Sequence, residues 1–225
     1  HDPSGDLRRL LNALEADWQL LDLSYDVALL ATIQPILRAG NWGVTVALRQ
    51  GEQIVALWPG LKDTIYGVAV DVGSTTIAAH LCNLSSGEVV ASAGVMNPQI
   101  RFGEDLMSRV SYVMMNPGGE VDMTNAVREA LNGLVKDLVK QAQCETTDIL
   151  EITFVANPIM HHLLLGINPV ELGGAPFALA TDMAVSTLAS TLDVKLNPQA
   201  RAYLLPCIAG HVGSDTAGMV LAEKS

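Results

Sequence analysis

Three strand-like runs, 66–72, 76–84 and 88–95, follow one another with almost no chain between them. The first link turns on Gly73 and the second is the short stretch SSGE. Parallel neighbours need a crossover of a dozen residues or more, so links this short permit only hairpins. The segment must therefore fold as an antiparallel meander. Helical patterns follow at about 104–115 and 123–142, then a strand in EITFVAN ending at Asn157 and a short helix in IMHHLLLG. After a less regular stretch, AYLLPCIAG reads as a buried strand and SDTAGMVLAE as a helix of small residues. Three strands, then helices alternating with two more, predict an α/β fold with a mixed five-stranded sheet and flanking helices.

Residues 1–62 read differently. DLRRLLNALEADW carries Leu7, Leu10, Leu11 and Leu14 at helical spacing. SYDVALLATIQPILRAGN continues in the same period, with Ser24 or Asp26 as its cap and Gly40 as its close. Pro35 predicts a kink or interruption there. WGVTVALRQGEQIVALWPG then reads as a hairpin around Gln50-Gly51-Glu52. This is a small α+β module without a cluster of reactive side chains, expected to act as a spacer or docking domain.

Composition narrows the function. With 49% hydrophobic and 16% charged residues, the chain of 225 residues can bury a large core. No apolar run approaches the roughly 18 residues of a membrane span, and no signal peptide is expected before the first helix. A formal charge of −11 argues against nucleic acid, whose phosphates select basic faces. Cys82, Cys144 and Cys207 are too far apart for a zinc or iron–sulfur site, and are expected as thiols in a reducing cytoplasm. The ends, HDPSG and LAEKS, suggest a piece of a longer protein.

The chemistry concentrates at Asp71-Val72-Gly73-Ser74-Thr75-Thr76. A phosphate group needs backbone N–H groups aimed into a concave turn, which glycine permits. Hydroxyls at Ser74, Thr75 and Thr76 can add charge-assisted hydrogen bonds. The Asp71 carboxylate would repel phosphate unless a magnesium ion with its waters lies between them. Acid, glycine and hydroxyls together fit a Mg-nucleotide hairpin; the same residues also suit an ordinary β-turn. No lysine follows and the chain continues as a strand, so this is not a helix-opening P-loop.

Other candidates each have a plainer reading. Asp215 can orient water or help hold magnesium, or it can cap the last helix together with Ser214. Ala217 and Gly218 allow that helix to pass close to another. The cluster Asn97, Gln99, Arg101, Glu104, Asp105 and Arg109 contains an i,i+4 pair, Asp105–Arg109, expected at the surface unless it faces the cleft or a partner. Asn157 either addresses the nucleotide or caps the helix after it. His161 and His162 point about 100° apart on a helix, which argues against a shared metal. Met114, Met115 and the leucines of 163–165 are expected in the core.

The meander with its acid-glycine-hydroxyl hairpin resembles the actin-like ATPase, sugar kinase and heat-shock superfamily. YGVAVDVGSTTIAAHLCNLSSGEVV, NPQIRFGEDLMSRVSY, ANPIMHHLLLGINPVELGGAPF and LLPCIAGHVGSDTAGMVLAE together resemble the reductive activators of corrinoid proteins over essentially the whole chain. The resemblance implies a ribonuclease-H-like first lobe at 63–225, preceded by that family's middle domain at 1–62. It further implies ATP and Mg2+ as cofactors, with Gly73, Ser74, Thr75 and Thr76 on the phosphates, Asp71 on the metal through water, and Asp215 as the catalytic acid. A [2Fe–2S] domain and a second lobe with another Asp-Gly hairpin are expected outside this chain, and the fragment alone is expected to bind ATP weakly. The implied activity is ATP-dependent return of a corrinoid methyl-transfer protein from Co(II) to Co(I), with a monomer and a homodimer both left open. Two other readings stand beside it: a docking module that turns over no ATP, and a small-molecule kinase.

Overall fold

The computed structural model describes residues 3–222. Helix α1 (Asp6–Trp18) buries Leu10 and Leu14. A two-residue strand, β1 (Ser24–Tyr25), leads into α2 (Val27–Ala39), where the Asp26 carboxylate accepts from the Ala28 amide at 2.8 Å. Of the kink or interruption expected at Pro35, the interruption does not occur: α2 runs on through it. Leu29, Ile33 and Leu37 are buried along one face, and that packing offsets the one backbone hydrogen bond a proline removes. The hairpin of β2 (Val44–Arg49) and β3 (Gln53–Pro59) turns at Gln50 and Gly51, both at positive φ, and β1 adds to β3 in parallel.

The meander forms as the short links require. Strands β4 (Tyr66–Val72), β5 (Thr76–Asn83) and β6 (Val89–Met96) pair antiparallel in turn. A 3-10 turn (Pro98–Phe102) leads to α3 (Leu106–Met115) and the long α4 (Gly119–Ala142). Strand β7 (Ile149–Ala156) then lies parallel to β4, and α5 (Pro158–Leu165) leaves its end. The sheet is completed by β8 (Val185–Leu188) and β9 (Arg201–Leu204), and α6 (Ser214–Ala222) follows. Its order is β6-β5-β4-β7-β9-β8, six strands rather than the expected five. The additional strand, β8, is a four-residue edge among small polar residues, and it pairs only with β9. It has no alternating apolar pattern by which to be seen.

Strand alternation decides which face carries what. Val68, Val70 and Val72 of β4, Ile77, Ala79 and Leu81 of β5, and Ile152, Phe154 and Ala156 of β7 all join the core with Val127, Leu131, Leu134, Val135 and Leu138 of α4. The opposite face carries Asp71 and Glu151, both exposed, together with Val155. Here α6 crosses close to β7: a Cβ at Gly218 would lie 3.0 Å from Val155 Cγ1. Gly218 thus permits a close helix–sheet approach within this chain.

The N-terminal module is fastened to the large sheet at a buried carboxylate, and Arg49 adds a bond from Nη2 to Gln199 O at 3.2 Å. Asp148 accepts from Trp58 Nε1 at 3.1 Å and pairs with Lys62 Nζ at 2.9 Å, while Val55, Ala56 and Leu150 pack beside it.

Candidate functional site

Where β4 ends, the chain turns through Gly73-Ser74-Thr75 into β5, beside the C-terminal end of the parallel strand β7. The ends of parallel strands in open α/β sheets are where ligands settle. Gly73 is required by space rather than by φ: a Cβ there would come within 2.5 Å of the Thr76 carbonyl oxygen.

Each carbonyl of the turn is taken up. Gly73 O accepts from Asn97 Nδ2 at 2.8 Å, Ser74 O from Arg109 Nη2 at 2.5 Å, and Thr75 O from the Asn97 amide at 2.8 Å. The amides of Gly73, Ser74 and Thr75 have no acceptor among the described residues. A turn with its acceptors satisfied and its donors open suits an anion.

The acids converge on the open face. Asp71 lies opposite Val155 in the β4–β7 register, and α6 brings Asp215 over the same face. Asp71 is open to solvent on one side and crowded by the sheet on the other. Burial raises its carboxyl above the usual range, and the charge of Asp215 raises it further. Thr76 shares this face by alternation, two residues from Ala78, the partner of Asp71. Ser74 and Thr75 instead line a separate open depression of about 520 Å3 with Glu104, Asp105, Leu106 and Met107. The structure thus gathers Asp71, Thr76 and Asp215 on one side of the hairpin, with Ser74 and Thr75 on the other. Among the described residues, no three His, Cys, Asp or Glu side chains cluster to hold a metal. The donor set fits a magnesium ion bound mainly by phosphate and water, with Asp71 as a charge across one water.

Asp215 is placed by the two residues before it. The buried Ser214 hydroxyl donates to Ala156 O at 3.1 Å and accepts from the Ala156 amide at 2.9 Å, tying α6 to the end of β7. Gly213 permits that approach, since a Cβ there would lie 2.3 Å from Ala156 O. Asp215 Oδ1 accepts from the Thr216 amide at 2.8 Å. Asn157 caps α5, accepting from the Met160 amide at 3.0 Å.

The sequence-based expectation for Arg109 fails. It is no surface partner of Asp105 but a fully buried residue under the turn, and Asp105 instead caps α3 through the Ser108 amide at 2.7 Å. Asn97 and Gln99 are equally buried beside it. One signal was present: Arg109 stands three residues after Leu106 and four before Val113, on the apolar side of its helix. Met114 and Met115, expected in the core, are exposed.

The two histidines differ. His162 accepts the Ala180 amide at Nε2, which leaves the proton on Nδ1 to donate to Pro158 O at 2.8 Å. His161 is buried, with neither ring nitrogen partnered among the described residues. Burial, then the neighbouring His162, lowers it from 6.5 to about 4. The folded state therefore binds fewer protons than the unfolded chain between these values, and stability must fall as pH drops through that window. The expected loss is roughly 3 kcal/mol by pH 4. Urea midpoints at pH 7 and pH 5 check it: His161→Leu should flatten the difference, and an unchanged pH dependence would contradict the assignment.

With this geometry in place, the relatives are informative. The family described as RACo middle region matches residues 66–224, and the one described as RACo linker region matches residues 1–64. A protein of Eubacterium limosum called corrinoid activation enzyme RamQ is 32% identical over 173 residues, covering 76% of this chain and 29% of its own length. A solved structure described as a reductive activator for corrinoid, iron-sulfur protein superposes with a TM-score of 0.79 at 31% identity. That match covers 98% of this chain and 36% of the relative. The chain thus spans about a third of the length of the proteins it matches.

Proposed function

This chain belongs to the RACo family, spanning its linker and middle regions, and from that premise we propose that it forms the first lobe of an ATP-dependent reductive activator. Its target is a corrinoid methyl-transfer protein, whose cobalt takes one electron in passing from Co(II) to Co(I). The electron comes from a low-potential iron–sulfur donor, and residues 1–62 serve as the spacer or docking domain. What carries the reading is the turn at 73–75, whose amides stand open while its carbonyls are bound from behind.

In this reading the amides of Gly73, Ser74 and Thr75 bind the terminal phosphates, and the Thr76 hydroxyl, on the same face as Asp71, adds to that grip. Asp71 orients the water shell between carboxylate and phosphate, and Asp215 positions a water near the γ-phosphate. Magnesium supplies neutralising charge on the phosphate oxygens. Phosphate binding at a strand end beside α6 biases closure of the two lobes, which alters how the corrinoid protein is held.

The test uses the full-length protein. ATP turnover should rise on adding the corrinoid partner in its Co(II) state with a low-potential reductant, together with the Co(I) absorbance, and should ignore sugars and other small alcohols. Stimulation by an alcohol acceptor, with phosphate transferred to it, would replace this reading with the kinase one.

A further inference from the structure

Among the described residues Arg109 is the largest buried polar side chain, and the activity described above gives it no part. Its guanidinium donates to Ser74 O at 2.5 Å, to Gly103 O at 3.0 Å through Nε, and to Gln99 Oε1 at 3.4 Å. Met160 Sδ lies 3.2 Å from Nη1. Among the described residues no carboxylate stands within ion-pair distance. Burying a cation without its counter-charge is costly, and proteins ordinarily pair such groups. Here the neighbours are neutral carbonyls and a thioether, and the nearest of them belongs to the turn itself.

We propose that Arg109 is a positioning residue for polyphosphate: it holds the Ser74 carbonyl inward so that the turn's amides face out, and its unpaired charge makes the turn selective for anions. The proposal rests on the nucleotide reading of the hairpin. The polar layer beneath the turn is rigid enough to serve. Gln99 Nε2 donates to Met123 O at 2.9 Å on α4, and Asn97 Oδ1 accepts the Gln99 amide at 2.9 Å. The depression beside Ser74 and Thr75 carries Glu104 and Asp105, two acids that by themselves would repel phosphate. A fixed positive charge behind the turn offsets them where it counts. Burial lowers the Arg109 pKa and Asp105 raises it, and an arginine stays charged under such conditions.

The experiment measures binding of Mg·ATP, inorganic tripolyphosphate and adenosine to the full-length protein and to two variants, Arg109→Met and Arg109→Lys. Met removes charge and fork at similar length. It should weaken ATP and tripolyphosphate about 30-fold while leaving adenosine within about twofold. Lys keeps the charge and loses the fork, so its losses should be intermediate, about fivefold. Equal tripolyphosphate affinity in wild type and Arg109→Met, or an adenosine loss as large as the ATP loss, overturns the proposal. Should the Met variant fail to fold, the Lys variant decides it on the same probes, and unchanged tripolyphosphate affinity is again the overturning result. A wild-type protein that binds no polyphosphate at all overturns the nucleotide reading itself.

Discussion

Gly73→Ala is expected to reduce Mg·ATP affinity by about a hundredfold or more, because the added methyl cannot fit without moving the turn. Its Cβ would stand 2.5 Å from the Thr76 carbonyl oxygen, and a main-chain atom cannot swing aside as a side chain does. The turn is also held at three successive carbonyls by Asn97 and Arg109. Relief of the clash must therefore break one of those bonds or open the hairpin. The stability cost should be about 1–3 kcal/mol, as for other overpacked sites, so the protein remains folded enough to titrate. Gly94→Ala on β6 is the control, since its Cβ would meet only Ile77 O at an ordinary 3.6 Å. A Gly73→Ala protein that binds ATP within threefold of wild type would remove the turn from the site.

The second large effect concerns the two acids. Asp71→Asn should lower ATP turnover by about a hundredfold or more, through the loss of the charge that orders the metal's water shell. The same change should raise the melting temperature of the nucleotide-free protein. The sign follows from the direction of the shift: Asp71 titrates above its ordinary value when folded, so its ionised form is less welcome in the native state than in the unfolded chain. At neutral pH the carboxylate therefore opposes folding, and an amide does not. Function and stability move in opposite directions at this position, as expected of a site group. Asp215→Asn should lessen that penalty too, since its charge contributes to the shift. Combining both changes should cost turnover much less than the product of the single effects, because neighbouring groups that act on one ligand do not contribute independently. Additive losses, or an Asp71→Asn protein that melts no higher than wild type, would separate the two residues.

The parts of this protein that could be read beforehand are those specified locally. Links of three or four residues leave a chain no choice but hairpins, so the meander of β4, β5 and β6 and its glycine turn followed from the sequence. Asp26 and Asn157 announced themselves as caps in the same local way. Long-range pairing hid the rest. Strand β8 exists because β9 offers it an edge, and β1 is only two residues borrowed by β3. Pro35 does not interrupt α2, because the buried face of that helix outweighs the one backbone bond a proline removes. Arg109 reaches Ser74 across 35 residues of sequence, and an i,i+4 acid nearby offered a simpler partner that it does not use. The hairpin was legible, and the layer that holds it in shape was not.

The central claim is that open amides in the first hairpin grip the phosphates, and amide hydrogen exchange across residues 73–75 of the full-length protein tests it most directly. Saturating Mg·ATP should slow exchange at Gly73, Ser74 and Thr75 at least about tenfold, while adenosine leaves them unchanged. Protection that appears elsewhere in the presence of bound ATP, with these three amides still exchanging at their free rate, would contradict it.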